Sequence, residues 1–503
     1  MKSKNFADMM LRAGLFALVV FIAAGAQAAP LLLPLAEDAA ADAAEPGSAL
    51  YALNKETAAQ LRQSGSFSVT LPVNGREVEF QQTERLIRAG NLTWRGVDAS
   101  GQLSALLTLA PDHIYGQVFG PFGAVAIAPE GSQVRVRQLD PAQETPLQDD
   151  ALLPPPASSS ASAPASAAAA AEDGSRIDVM VLYTNGLAAA HPGSQINTLI
   201  QNVIDQSNLV FSNSAVSTQF NLVHAAMVTY PDDSLSGMNE ALDDLTDNLG
   251  VFSGVEALRT TYGADQVVLL RRFVDEGCGL AWVLRSSSPR YAYAVVHVGD
   301  KTDGSRSYCP DTTYVHEIGH NLGCAHDRAN AGSAGRFDYS YGYQSPSATF
   351  RTVMAYDCPD RCPRVLYFSN PDLQYSGEAL GVPYTASNSA DNARTINQTR
   401  VEMANYRTAA VTTWTVTPSA GAGGSISPDT PQTVAHGATA SFTVTPSSGW
   451  RISSVSGCGG ALSGGSYTTG PVTADCAVTA RFAEESGADG RGFLPVYKLL
   501  LNK

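Results

Sequence analysis

His316-Glu317-Ile318-Gly319-His320-Asn321-Leu322-Gly323-Cys324-Ala325-His326-Asp327 gathers three of the chain's 8 histidines into one short stretch. In a helix, residues i and i+4 project from one face, so His316 and His320 can offer imidazoles to a single ion. Gly323 can take the left-handed conformation that ends a helix. The turned chain then brings His326 round as a third ligand. Three neutral imidazoles around Zn2+ leave a position open to water, the arrangement of a catalytic rather than a structural ion. Glu317, beside the ligand face, is placed to take a proton from that water. A helix whose histidines were only surface or core residues would have no reason to hold three of them and an acid in this register. One catalytic zinc is the expected cofactor, and no motif indicates Ca2+.

The chain around this stretch has 503 residues, 44% hydrophobic and 16% charged, too long for one ordinary domain and too apolar for a disordered chain. Asp and Glu outnumber Lys and Arg by 47 to 32, a net charge of −15, which argues against nucleic acid as a partner. Lys2, Lys4 and Arg12 lead into an apolar stretch, Ala13 to Ala24, and then Ala26-Gln27-Ala28. That is a secretory signal over 1–28, cleaved after Ala28. Its apolar stretch, roughly a dozen residues, falls short of the ~20 that span a bilayer. No later segment is long and apolar enough to span, so the expected product is secreted, and export permits disulfides.

Residues 29–150 read as a β-rich unit. Its first part, 29–48, lacks periodicity and is expected to be a mobile leader; Asn74-Gly75 between two alternating runs predicts a hairpin. The Ser/Ala/Pro-rich tract within 151–174 is expected to be an exposed linker. From 175 to 408, strand-like runs such as Ile177-Asp178-Val179-Met180-Val181-Leu182-Tyr183 alternate with helical periodicity, the mark of an α/β layer domain. Residues 411–483 are rich in Thr, Ser, Gly and Val. There Trp414-Thr415-Val416-Thr417-Pro418 is echoed by Phe442-Thr443-Val444-Thr445-Pro446, predicting a compact β module. A short tail, 484–503, follows.

The histidine stretch resembles the metzincin zinc proteases, in which a third histidine follows the helix-ending glycine and a methionine turn lies downstream. Thr352-Val353-Met354-Ala355-Tyr356 matches that turn. The resemblance implies that Met354 forms an apolar floor below the metal. Asp327, Phe368-Ser369-Asn370-Pro371 and Ala390-Asp391-Asn392-Ala393-Arg394 make the chain most similar to the bacterial branch of the reprolysin-like proteases, which includes peptidyl-Asp metalloendopeptidases. The implied fold is an α/β metzincin catalytic domain, a mixed twisted sheet plus zinc helix, preceded by a β-rich propeptide. The implied activity is hydrolysis of protein and peptide substrates by a zinc-activated water. Met354-x-Tyr356 is also the arrangement of astacin-like and serralysin-like enzymes, which makes Tyr356 a candidate for stabilising the oxyanion. The rival from another class is a secreted adhesin or binding protein on an inactive metalloprotease scaffold; Glu317, kept between intact ligands, speaks against it.

All 7 cysteines lie from Cys278 onward. Cys278 and Cys309 flank an alternating strand before the zinc helix, Cys358 and Cys362 close a tight loop, and Cys458 and Cys476 are the C-terminal module's own pair. Those are the expected disulfides, with Cys324 left as a buried thiol and Cys324–Cys358 as the alternative. A propeptide without cysteine must use another means of latency, either a carboxylate such as Asp140 or Asp149 or steric cover. Gln148-Asp149-Asp150 and the linker are candidate activation sites. In the family, the loop after the methionine turn walls the pocket for the side chain that follows the cut bond. Here it carries Arg361 and Arg364, so an acidic side chain is expected there. The C-terminal module resembles the internalin B-repeat type, which implies either a module that holds substrate, a cell-surface or a matrix ligand, or a spacer.

Overall fold

The computed structural model describes residues 28–485, except 36–46, 64–66, 89, 147–149, 156–171, 233–236, 275–276, 360, 409–412, 436–437 and 473. The signal segment before residue 28, Asp149, most of the Ser/Ala/Pro tract and the tail beyond 485 lie outside the described residues.

The N-terminal unit is a ten-stranded sheet. Seven strands from Val69–Val73 to Gln133–Leu139 follow one another as an antiparallel meander, flanked by Ser48–Leu53 and Leu32–Pro34 on one side and by Ala29–Pro30 on the other. Asn74 (φ 50°) and Gly75 (φ 74°) make the tight turn between Val73 and Arg76, and both take the positive φ that a two-residue hairpin loop demands. The expectation of a mobile leader fails at its start. Leu31 and Leu32 are fully buried among Leu61, Val69, Leu71, Phe80, Leu92 and Trp94, because two leucines there complete the core at the sheet's end.

The second unit is built on a seven-stranded sheet in the order Ala151–Leu152, Gly279–Trp282, Tyr293–Asp300, Gln266–Arg272, Ile177–Thr184, Phe220–Val228, with Tyr308–Cys309 paired to Tyr293–Asp300. The apolar run Ile177–Tyr183 lies inside the sheet, between Gln266–Arg272 and Phe220–Val228, and is buried on both faces, the usual condition of a parallel strand between helices. Gly279–Trp282 runs antiparallel to its sheet neighbour. Its outer edge accepts Ala151–Leu152, which sequence reading assigns to the linker, as a parallel partner; Ala281 N donates to Asp150 O (3.0 Å) and Val283 N to Leu152 O (2.7 Å).

The helix Gln195–Asn213 joins the two units. Ile196, Ile200, Val203 and Ile204 enter the main core. Its polar side is buried too, under the N-terminal sheet, and every group there needs a partner. Thr108 Oγ1 donates to Asp205 Oδ2 (3.0 Å), Asn202 Nδ2 to Thr108 Oγ1 (3.1 Å) and Gln206 Nε2 to Gln117 Oε1 (2.9 Å). The two units thus meet through a polar face as well as an apolar one.

Residues 413–485 form two four-stranded sheets around Val416, Ile426, Phe442, Val444, Tyr467 and Val478. The two echoing Thr-Val-Thr-Pro segments lie in different sheets, Thr413–Ala420 in one and Ser441–Pro446 in the other. Cys458 and Cys476 are disulfide-bonded. Among the described residues, no helix is long and apolar enough to cross a membrane.

Candidate metal centre

Thr312–Asn321 is a buried helix: Tyr314, Val315 and Ile318 enter the main core, and His316, Glu317 and His320 are buried as well. Asn321 Nδ2 donates to Trp282 O (2.8 Å) and Tyr293 O (3.2 Å), which fixes the helix against the strand Gly279–Trp282, the side on which a substrate cleft is expected. After the helix, Gly323 has φ +92°, a conformation that side chains rarely adopt, and the chain reverses into Ala325–Asp327. That reversal returns His326 to the first two histidines.

His316 Nδ1 lies 2.8 Å from Val353 O, and His320 Nδ1 lies 2.9 Å from Cys324 O. A carbonyl only accepts, so each Nδ1 carries the proton and each Nε2 turns its lone pair to the common centre. The fourth group there is Asp150, from the segment just before the short strand Ala151–Leu152. Its Oδ2 is 3.2 Å from His316 Nε2, and its Oδ1 is 2.7 Å from His326 Nε2 and 3.9 Å from His320 Nε2. The two helix Nε2 atoms are 3.2 Å apart.

Bonds of about 2.0–2.1 Å in a tetrahedral zinc site set ligand atoms roughly 3.3 Å apart; here the four ligand atoms all lie within 4.8 Å of one another. Asp150 Oδ2 and His326 Nε2 are buried, and their close contacts within the cluster lack hydrogen-bond geometry. Three imidazoles and a carboxylate with unused lone pairs are a donor set that suits zinc.

Glu317 is fully buried and neither carboxylate oxygen has a hydrogen-bond partner. Burial pushes its carboxyl well above the usual range and Asp150 adds to that, while the Arg364 guanidinium opposes it. Space for this side chain comes from Gly279, where a Cβ would stand 2.0 Å from Glu317 Oε1. Burial, and the neighbouring His326 and His316, lower His320 well below its ordinary value, which keeps it the neutral imidazole a metal needs.

Met354 is fully buried beneath the helix. A Cβ at Gly319 would meet Met354 Sδ at 2.6 Å, so helix and methionine turn touch where only glycine fits. Gly319→Ala is expected to lower stability by roughly 1–3 kcal/mol through overpacking, read as a lower urea midpoint. An unchanged midpoint would show that the contact is not tight. Asp327 Oδ2 accepts from Tyr356 N (3.0 Å) and ties the His326 segment to the same turn. Ser369 and Asp391 serve the scaffold: Ser369 Oγ accepts from Asn392 N (2.8 Å), and Asp391 caps the helix Asn392–Met403.

Tyr356 reaches the centre, its hydroxyl donating to Asp150 Oδ1 (3.1 Å) and its ring 4.3 Å from that of His326. Cys278–Cys309 and Cys358–Cys362 are disulfide-bonded, and Cys324 is free and buried. Arg364 and Arg361 part company. Arg364 is enclosed, with a side chain 4% exposed, whereas Arg361 is exposed, its Nη1 donating to Pro141 O (2.9 Å).

Sequence reading names Asp150 only as part of a candidate activation site and gives the latency carboxylate as Asp140 or Asp149; Asp140 instead caps the turn Pro141–Gln143, Asp149 lies outside the described residues, and Gly279, Glu144 and Arg351 are not singled out. Only Gly279 carries a local signal, a glycine inside a strand pattern next to a cysteine.

Residues 173–369 match the family described as "Metallo-peptidase family M12", and residues 414–486 the one described as "Divergent InlB B-repeat domain". Among curated proteins, the chain is similar to the "Peptidyl-Asp metalloendopeptidase" of Stenotrophomonas maltophilia (strain R551-3), 32% identical over 238 residues, 46% of this chain and 52% of that protein. The protein of the same name from Xanthomonas campestris pv. campestris is 31% identical over 231 residues, with the same shares covered. That of Pseudomonas aeruginosa is 28% identical over 274 residues, 51% of this chain and 44% of the relative. The chain thus spans about half the length of the curated relatives it matches. Residues 173–369, which carry the three histidines, Glu317 and Met354, are thus similar to the metallopeptidases of family M12, and residues 414–486 to the divergent InlB B-repeat domains.

Proposed function

We propose that the chain is an exported zinc-dependent endopeptidase of the metzincin type, made as a latent preproenzyme. The observation that carries the reading is the convergence of His316, His320 and His326 beside the unpartnered carboxylate of Glu317. A zinc ion in that setting supplies Lewis acidity, lowering the pKa of a bound water towards about 7 and polarising the scissile carbonyl. Glu317 then takes the water's proton and delivers it to the leaving amine. Gly279 leaves room for that carboxylate, and the cleft strand Gly279–Trp282 offers backbone groups to an extended substrate. The Tyr356 hydroxyl, which donates to Asp150 Oδ1 in the uncleaved chain, is placed to donate to the oxyanion after Asp150 has left.

Latency in this reading rests on Asp150. Its carboxylate stands where the water would bind, and Ala151–Leu152 cover the cleft strand. The partly polar face between the two units suits a cover that must come away into water. Cleavage in the linker, after removal of the signal at 1–28, would release the N-terminal unit as a propeptide. The curated relatives are named for cleavage at Asp, and we carry to this chain a preference for acidic residues after the cut. Residues 414–486 are a binding module for a cell-surface or matrix ligand.

Casein hydrolysis before and after N-terminal processing, with a chelator and with zinc restored, tests the reading. Activity should need processing, vanish with the chelator and return with about one zinc per chain. A processed, zinc-loaded chain inert towards casein would contradict it and favour a binding protein on an inactive scaffold.

A further inference from the structure

A second buried site lies next to the metal centre. Glu144, in the segment that leads from the N-terminal unit to Asp150, has a side chain only 11% exposed. Its Oε1 is 2.8 Å from Arg351 Nη2 and 3.0 Å from Arg364 Nη2, and both arginine side chains are 4% exposed. Burial works against the carboxylate, yet Arg351 and Arg364, with Arg361 adding, hold it below its ordinary range.

The two arginines are built differently. Arg351 is braced by protein carbonyls, Nε donating to Cys362 O (3.2 Å) and Nη1 to Ala355 O (3.3 Å), which leaves Nη2 to point at Glu144. Arg364 has no such brace: apart from the ion pair of Nη2 with Glu144, its guanidinium nitrogens are buried and make no hydrogen bond. Leaving guanidinium donors unpaired in the interior is costly. A fork that has Glu144 as its ion-pair partner, beside a neighbour braced by carbonyls, is a site shaped for a carboxylate. The site adjoins the chemistry, for the Arg364 charge acts on both Asp150 and Glu317.

Resting on the endopeptidase reading, we propose that Arg364 and Arg351 form the pocket for the acidic side chain of the substrate, and that Glu144 fills it in the uncleaved chain as a stand-in for that side chain. The N-terminal segment then blocks the cleft at two points, with Glu144 in the pocket and Asp150 at the metal. Its backbone at Glu144 bridges to Tyr308, and Thr145 N donates to Tyr308 O (3.0 Å). Arg361, which sequence reading places beside Arg364 in the pocket wall, is an exposed residue at the mouth that adds charge.

Two measurements test the proposal. The first is peptide profiling with the processed enzyme. The ratio of kcat/KM for Asp over Asn after the cut should fall at least about tenfold in Arg364→Gln and in Arg351→Gln, because each removes a charged donor from a buried carboxylate. The same ratio in wild type and both variants would overturn the pocket while leaving the endopeptidase reading intact. A processed, zinc-loaded wild type that cleaves no peptide would remove that reading and the pocket with it. The second needs no catalysis and no substitution in the pocket wall. Glu144→Ala in the uncleaved chain should lower Tm, and propionate, supplying the missing carboxylate, should raise it again relative to equal chloride, with no such rise in wild type. Equal responses of variant and wild type would overturn the proposal.

Discussion

Glu317→Ala is expected to cut peptide hydrolysis by the processed enzyme by about 10²–10⁴-fold, the range that general acid–base catalysis supplies, while zinc content stays at that of wild type. The two readouts separate because Glu317 is no part of the donor cluster formed by Asp150, His316, His320 and His326. No other residue can take its place readily. The space beside it is enclosed, Gly279 on the cleft strand offers no side chain, and the second carboxylate at the centre, Asp150, leaves with the N-terminal segment. Kinetics on a short peptide, together with zinc analysis of the same preparation, check the expectation. Undiminished hydrolysis would remove Glu317 from the mechanism; loss of zinc would make it a structural residue of the site.

Asp150→Ala has the other large effect, in the uncleaved chain. Wild type should show only background hydrolysis there. The variant should cleave short peptides, because the position held by the carboxylate becomes open to water. Its zinc should also escape to a chelator some 10–100-fold faster, on the scale by which even outer-shell losses weaken metal sites. The release rate is best compared in a Glu317→Ala background, where self-cleavage cannot confuse it. Equal release rates, with no hydrolysis by the Asp150→Ala chain, would leave the covering strand rather than the carboxylate as the source of latency. Glu144 predicts the complement: its loss loosens the same segment without opening the metal.

The histidine site is legible in sequence because a helix compresses it. His316, Glu317 and His320 take their relative positions from helical geometry alone, and Gly323 announces the turn that brings His326 back. Ile177–Tyr183 declares its interior place for a similar reason, since a strand buried on both faces has to be apolar throughout. What escapes is set by contacts distant along the chain. Asp150 meets His316 across 166 positions of sequence (316 minus 150), from a low-complexity neighbourhood with no periodicity of its own. Asp149, one position away, reads the same by composition, and only the pairing of Ala151–Leu152 with the cleft strand fixes which carboxylate turns inward. Arg351 sits just ahead of the methionine turn, where an arginine would ordinarily face water. Its burial follows from Glu144, Asp357 and two carbonyls that no local pattern brings together.

The most direct test of the account is X-ray absorption at the zinc edge on the intact, uncleaved chain. The account predicts one bound zinc with three imidazole nitrogens and one carboxylate oxygen, the oxygen giving way to water after N-terminal processing. A chain that binds no zinc, or a sulfur in the coordination sphere drawn from Cys324, the one free cysteine among the described residues, would contradict it.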